Sequence, residues 1–244
     1  MKTLVYTTAV NSLNRAIKDT SMIDLTYKSW VYWCKKNNCD FHIIDEPKLN
    51  NTSPHWFRYF IFDEKPGYDR YLYIDADIIV KWDAPNIFDQ YTDLDKIYAV
   101  RDNFSLAWVY EGLKGYKKFF EKECPWDTYF NSGVLLFSKN HQQLFRDFIQ
   151  FYKDNQQEIN LMQSQTLKKG YDQTPFNYFV INNNIDIELI SEKFNLSHLM
   201  GKQILNGGYF IDMGYFWHFN GFPRQNQINM VSQIWNHVKD MYND

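Results

Sequence analysis

Two aspartates one residue apart, Asp75 and Asp77, close the apolar run "YLYIDAD" at residues 71 to 77, and Ile78 and Ile79 resume it. Side chains at i and i+2 of a strand share a face, so a single strand over residues 71 to 80 brings the two carboxylates together. Close carboxylates raise each other's pKa unless a cation lies between them. Oxygen ligands of this kind suit Mg2+ or Mn2+, which keep open positions for phosphate oxygens. A pair of solvated acids at a strand end fits the spacing equally well.

Four further stretches bear on that choice. In "FNSGVLLF" (130 to 137), Asn131 and Ser132 precede Gly133, where backbone can come close to a ligand; a loop entering a strand has the same pattern. In "YDQTPFNYF", Asp172 and Gln173 stand before a helix opened by Pro175, as a site or as a plain cap. In "FWHFNGFPR", His218 between aromatics reads as a packed core histidine. Gly221 and Arg224 within six residues suit phosphate and metal contacts instead. Arg58 lies on a short aromatic helix upstream, where a site residue and a surface charge fit equally.

The elements that must position these groups follow from periodicity. Strands are expected at 3 to 9, 41 to 45, 71 to 80, 96 to 102, 132 to 138 and 185 to 190. Helices are expected at 10 to 36 (broken near Asp19 to Ser21), 55 to 64, 140 to 155 with Asn140 as cap, 174 to 182 and 228 to 242. Residues 103 to 130 read as irregular, and 191 to 225 as loops and short strands. Alternating strands and helices without repeats predict an α/β domain: a mixed, mostly parallel sheet with helices on both faces. Ligands of such sheets sit at the carboxyl ends of strands, where the aspartate pair falls.

The 244 residues suit one domain, 1–244. Net charge is −3 from 26 basic and 29 acidic residues, without a basic stripe, which argues against a nucleic-acid surface. Aromatics make up 19%, suited to sugar and nucleotide pockets or to the core. Cys34, Cys39 and Cys124 are an odd count without metal-type spacing and read as reduced thiols. The opening "MKTLVYTTAV" reads as a strand rather than a signal peptide, and no run reaches the ~18 apolar residues of a membrane span. A cytoplasmic protein is expected, with peripheral membrane contact left open.

Taken in order, these stretches resemble the family 8 retaining glycosyltransferases, the group of glycogenin and the bacterial lipooligosaccharide galactosyltransferases. The resemblance implies a GT-A, Rossmann-like fold and transfer of a hexose from a nucleotide-sugar, UDP-linked in that family. The acceptor would be a glycan, glycolipid or protein. It implies Asp75, Asp77 and His218 as ligands of Mn2+ (or Mg2+). Arg224 stands where the family has a lysine on the diphosphate. Arg58, Asp102 and Asn131 would bond the donor sugar, with Ser132 and Gly221 also on the donor. Asp172 would orient the sugar, and Gln173 would face the anomeric carbon. Asn11 would lie near the nucleoside, and Thr8 would also touch the donor. Residues 1–102 would be chiefly the donor half, and 103–244 the acceptor, lid and metal-histidine half, with Gly207 and Gly208 as hinges.

Two departures stand out. No acidic residue precedes Asn11 in "TTAVNS", which loosens the link to uracil. Arginine replaces lysine at 224, and arginine binds phosphate at least as well. Two other functions share the Asp-x-Asp signature: a non-catalytic nucleotide-sugar binder and a nucleotidyltransferase. The second lacks its Gly-rich, basic loop after the first strand, and the first would be expected to have lost one of Asp75, Asp77, His218 or Gln173.

Overall fold

The computed structural model describes residues 1–10, 20–102, 105–197, 199 and 208–242. The chain opens with β1 (Thr3–Thr8), α1 (Thr20–Lys36) and β2 (Asp40–Ile44). A 3-10 segment, Pro54–Phe60, runs into α2 (Ile61–Glu64). Then come β3 (Arg70–Ile74), β4 (Ile78–Val80), α3 (Ile87–Gln90), β5 (Lys96–Arg101) and α4 (Leu106–Tyr116). β6 (Phe130–Ser138), α5 (Gln142–Leu161), α6 (Gln173–Asn182) and β7 (Asp186–Ile190) follow. α7 (Phe210–Met213), β8 (Phe216–His218), α8 (Arg224–Val238) and a 3-10 segment, Lys239–Tyr242, complete the described chain.

Six strands form the central sheet in the order β2-β1-β3-β6-β5-β7. All neighbours are parallel except at β6, which runs against both β3 and β5. The central strands are buried on both faces, as helices covering both sides require. The two-residue period sorts their side chains. Tyr6, Tyr71, Tyr73 and Phe137 pack with Trp56, Tyr59, Phe145, Phe148 and Phe176 on one face. Val5, Leu72, Ile74 and Leu136 pack with Trp30, Trp33 and Phe216 on the other. Rings such as Trp56 on Tyr152, 3.9 Å between centroids, and Tyr59 on Phe148, 4.8 Å, place much of the aromatic surplus in the core.

The strand expected over 71 to 80 is in fact two. Asp75 N makes the last bond along β6, to Gly133 O at 2.8 Å, and Ile78 N then turns back to Asp75 O at 3.1 Å. β4 leaves the sheet to pair with β8. It is held there by α1: Trp30 Nε1 donates to Ile78 O at 2.7 Å, and Val80 N donates to Ser29 Oγ at 3.2 Å. The aspartates therefore converge through a tight turn, not through the pleat of a strand.

Three other expectations shift. Residues 106 to 116 form α4, capped by Ser105, whose hydroxyl accepts from Trp108 N at 3.3 Å. The cap before α5 is Ser138, not Asn140: its Oγ accepts from Asn140 N at 3.0 Å, and a 3-10 turn intervenes. α6 begins at Gln173, so Pro175 is its third residue and Gln173 belongs to the helix. Asn11, Gly207 and the early part of the helix expected from residue 10 lie outside the described residues. Among the described residues, no helix is long and apolar enough to cross a membrane.

Candidate active site

A cavity of about 800 Å3 opens at the carboxyl edge of the sheet. β1 contributes Thr8, and the turn after β3 contributes Asp75 and Asp77. Asp102 follows β5, while Asn131 and Ser132 lie at the start of β6. Because β6 runs in reverse, it starts where its neighbours end. Its register against β5 shifts at Ala99/Val100, the kind of irregularity that re-aims backbone beside a site. Asp172 and Gln173 open α6, His218 ends β8, and Gly221 and Arg224 lead into α8. Every expected site residue that is described thus lines the same cavity.

At one end, one ligand atom each from Asp75, Asp77 and His218 lie within 4.8 Å of one another. His218 Nε2 is 3.2 Å from Asp77 Oδ1 and 3.6 Å from Asp75 Oδ2, with the ring only 2% exposed. Burial alone would push the Asp77 carboxyl up, but the His218 and Arg224 charges outweigh it and hold it below the ordinary value. Burial pulls His218 down, and the Asp77 and Asp75 carboxylates more than reverse that. Two carboxylates and an imidazole converging on one point make a donor set suited to a divalent cation. Gln227, unforeseen in the sequence, donates from Nε2 to Asp77 Oδ2 at 2.5 Å and to Phe219 O at 2.7 Å. It accepts from Arg224 Nη1 at 3.1 Å.

Arg58 is no surface charge. It is 3% exposed, with Nη2 3.1 Å from Asp75 Oδ1 and Nε 3.4 Å from Asp172 Oδ2. Its Nη1 donates to Ser132 O at 2.5 Å, and its guanidinium lies 4.2 Å over the Tyr73 ring. Burial opposes its charge, but Asp172 and Asp75 outweigh burial and keep the arginine firmly charged. The two carboxylates are held in turn by tyrosines: Tyr73 Oη donates to Asp75 Oδ1 at 2.6 Å, and Tyr59 Oη to Asp172 Oδ2 at 2.9 Å.

Gln173 occupies the middle. Its Oε1 accepts from Ser132 N at 3.1 Å, and its Nε2 donates to Asp102 Oδ2 at 2.8 Å and Tyr129 Oη at 3.2 Å. The amide is fixed at both ends and carries no charge. Asn131 Nδ2 reaches the same Asp102 oxygen at 3.4 Å. Tyr73 was visible in principle, two residues before Asp75 in a strand. Tyr129 and Gln227 carried no signal, because their roles depend on contacts across 44 and 150 residues.

A six-stranded mixed sheet with one reversed strand, helices on both faces and an Asp-x-Asp turn at its carboxyl edge is the GT-A glycosyltransferase fold. Solved structures share it. A glycosyltransferase involved in glycosylation of the major capsid of PBCV-1 superposes with a TM-score of 0.60 at 12% identity, over 96% of this chain and 100% of that one. The galactosyltransferase LgtC, solved with donor and acceptor sugar analogs, gives 0.58 at 14%, over 98% and 95%. GlyE of Streptococcus pneumoniae TIGR4 gives 0.53 at 15%, over 98% of this chain and 64% of GlyE. Identities this low speak for the fold alone. The sequence profile of glycosyl transferase family 8 matches residues 6–222, and the chain belongs to that family. No curated protein matches the sequence.

Proposed function

We propose that this glycosyltransferase moves a hexose from a nucleoside-diphosphate sugar, UDP-linked by family resemblance, to a hydroxyl acceptor with retention of anomeric configuration. The observation that carries the reading is the convergence of Asp75, Asp77 and the buried His218 in the same cavity as the neutral, doubly anchored Gln173. The trio fits Mn2+ or Mg2+: its ligand atoms already converge, and Gly133 leaves the space that His218 and Asp75 fill. A bound divalent ion would supply charge stabilisation at the diphosphate.

The chain's own residues account for the rest. Arg224, on the cavity rim, is placed to neutralise charge as the bond between anomeric carbon and phosphate oxygen breaks. Arg58, Asp102 and Asn131 hold the donor sugar, and Asp172 orients it. Thr8 faces the nucleoside; among the described residues its buried hydroxyl has no partner, consistent with an open donor position. Ser132 and Gly221 contribute backbone beside the donor.

Gln173 lies where the sugar becomes oxocarbenium-like. An amide already accepting from Ser132 N is a poor nucleophile and a good dipole. The acceptor hydroxyl then attacks from the face the diphosphate leaves, and its proton passes to a phosphate oxygen. No side-chain base is required. Residues 1–244 act on this reading as one catalytic domain, the first 102 mainly on the donor. The acceptor is a glycan, glycolipid or protein.

Release of nucleoside diphosphate from a panel of nucleotide-sugars, with and without Mn2+, tests the proposal. Turnover is expected only with metal, and Asp77→Asn should abolish it while leaving the melting transition in place. Full activity in that variant, or in the presence of a chelator, would remove the metal from the mechanism.

A further inference from the structure

We propose that Asn195 is a positioning residue: it fixes the ring of His218 for metal binding and ties the metal end of the cavity to its sugar end. The inference rests on the metal reading above. Asn195 ends the 3-10 segment Glu192–Asn195 and is 2% exposed. Its Oδ1 lies 2.8 Å from His218 Nδ1, and its Nδ2 lies 2.9 Å from Asn131 Oδ1. The backbone holds it there. Leu196 N donates to Phe216 O at 2.9 Å, and His218 N donates to Leu196 O at 3.0 Å, so the segment is laced to β8 beside the histidine.

The direction of every bond in this chain can be deduced. Gly133 N can only donate, and it donates to the Asn131 side chain at 2.8 Å, so an oxygen must be there. The same oxygen faces Asn195, which must therefore present its NH2 group to it. The Asn195 oxygen is then left facing His218 Nδ1, so Nδ1 carries the proton. The lone pair of the neutral ring is thereby assigned to Nε2, the nitrogen aimed at Asp77 and Asp75. A single backbone N–H thus sets a tautomer three links away.

A carboxamide meets both demands of this position, one from each of its two polar atoms. It must accept from the imidazole and donate to Asn131 at once. Aspartate could accept from His218, but it would set a carboxylate against Asn131 Oδ1. Leucine could do neither. Asn131 in turn shares Asp102 with Gln173, so the bonds run unbroken from metal ligand to reaction centre. A partner that fixes a ligand histidine through its other nitrogen is typically worth about 10–100-fold in metal affinity.

The variants Asn195→Leu and Asn195→Asp separate the two roles. The full chain is titrated with MnCl2 without nucleotide, and free Mn2+ is followed by electron paramagnetic resonance. Asn195→Leu is expected to weaken binding by about 10–100-fold, while Asn195→Asp keeps it. With nucleotide-sugar, Asn195→Asp is expected to lose turnover although it binds Mn2+. Nitrogen-15 spectra of the histidines under mildly alkaline conditions should show the Nδ1–H form of His218 in the native chain and in Asn195→Asp, but not in Asn195→Leu. Circular dichroism and melting confirm that the variants are folded. Native Mn2+ affinity in folded Asn195→Leu overturns the inference and leaves the metal reading intact. Equal loss of Mn2+ binding in both variants also overturns it. A native chain that binds no Mn2+ overturns the metal reading, and this inference with it.

Discussion

Gly133 has no side chain because three groups of the site occupy the space where one would be. A Cβ there would fall 2.4 Å from His218 Cε1, 2.8 Å from Asp75 Oδ2 and 2.8 Å from Asn131 Oδ1. The sequence suggested that backbone comes close to a ligand at this glycine. The contacts place protein groups, the histidine and aspartate themselves, against it. Gly133→Ala is therefore expected to push His218 and Asp75 apart, abolish Mn2+ binding and turnover, and cost about 1–3 kcal/mol of stability. A Mn2+ titration beside a denaturant melt checks this; an alanine variant that binds the metal normally would contradict the packing argument. At this scale the chemistry-bearing types were legible: Asp75, Asp77, Asp172, Gln173 and His218 all reach one cavity. The groups that hold them were not. Asn195 and Gln227 are ordinary amides whose meaning comes from partners far along the chain, 23 and 64 residues away for Asn195 and 150 for Gln227.

Among the elements, α4 shows how packing can hide a helix. Val109, Leu113 and Tyr116 give a helical spacing, but Gly112 and Gly115 interrupt it and lower the propensity. Both glycines face close neighbours: a Cβ would meet Thr174 Oγ1 at 3.0 Å and Leu167 Cδ2 at 2.7 Å. The element seated against them is the segment that aims Asp172 and Gln173. α5 ends in a wide π turn at Met162–Thr166, and the chain then takes positive φ at Lys168, Gly170 and Tyr171 before α6 begins. Such backbone persists where its surroundings over-determine it. Here Tyr171 O accepts from Gln163 Nε2 at 2.8 Å and from Tyr116 Oη at 3.0 Å. Gln163→Leu should cost about 1–3 kcal/mol, since the Tyr171 carbonyl and the Tyr116 hydroxyl each lose a donor. It should also lower kcat by loosening the start of α6. Unfolding curves and steady-state rates report the two effects separately, and an unchanged kcat in a destabilised variant would deny the segment its aiming role. The split of residues 71 to 80 escaped the sequence for a related reason. Ile78–Val80 is as apolar as the strand before it, and only its pairing with β8 reveals that it has left the sheet.

For the whole molecule, the sheet with helices on both faces was readable from alternating periods, and the reversal of β6 was not, because antiparallel pairing leaves no mark in an evenly apolar strand. Stability against acid is a property of this scale. His141 fills the glutamate-like place of a capping box, its Nδ1 accepting from Ser138 N at 3.3 Å. Burial holds its pKa below the ordinary 6.5. The folded chain therefore binds fewer protons here than the unfolded one, and this contribution is whole above about 6.5 and declines as pH falls towards the lowered value. His141→Gln keeps a box-forming side chain and removes the titration, so its stability should decline less below pH 6.5, by at most about 1.4 kcal/mol per unit. His42 shifts in the same direction and His218 in the opposite one, so the difference between the two proteins is the readout. Parallel acid profiles would rule His141 out as a contributor.

The pairing of β4 with β8 also bears on how the chain is made. Asp77 and Ile78 leave the ribosome about 140 residues before His218, at a step when β4 is an unpaired apolar edge preceded by two carboxylates. Unpaired edges of that kind invite association with other chains. The residues that complete the site also cover that edge, so a nascent chain stays exposed there until Phe216–His218 has been synthesised.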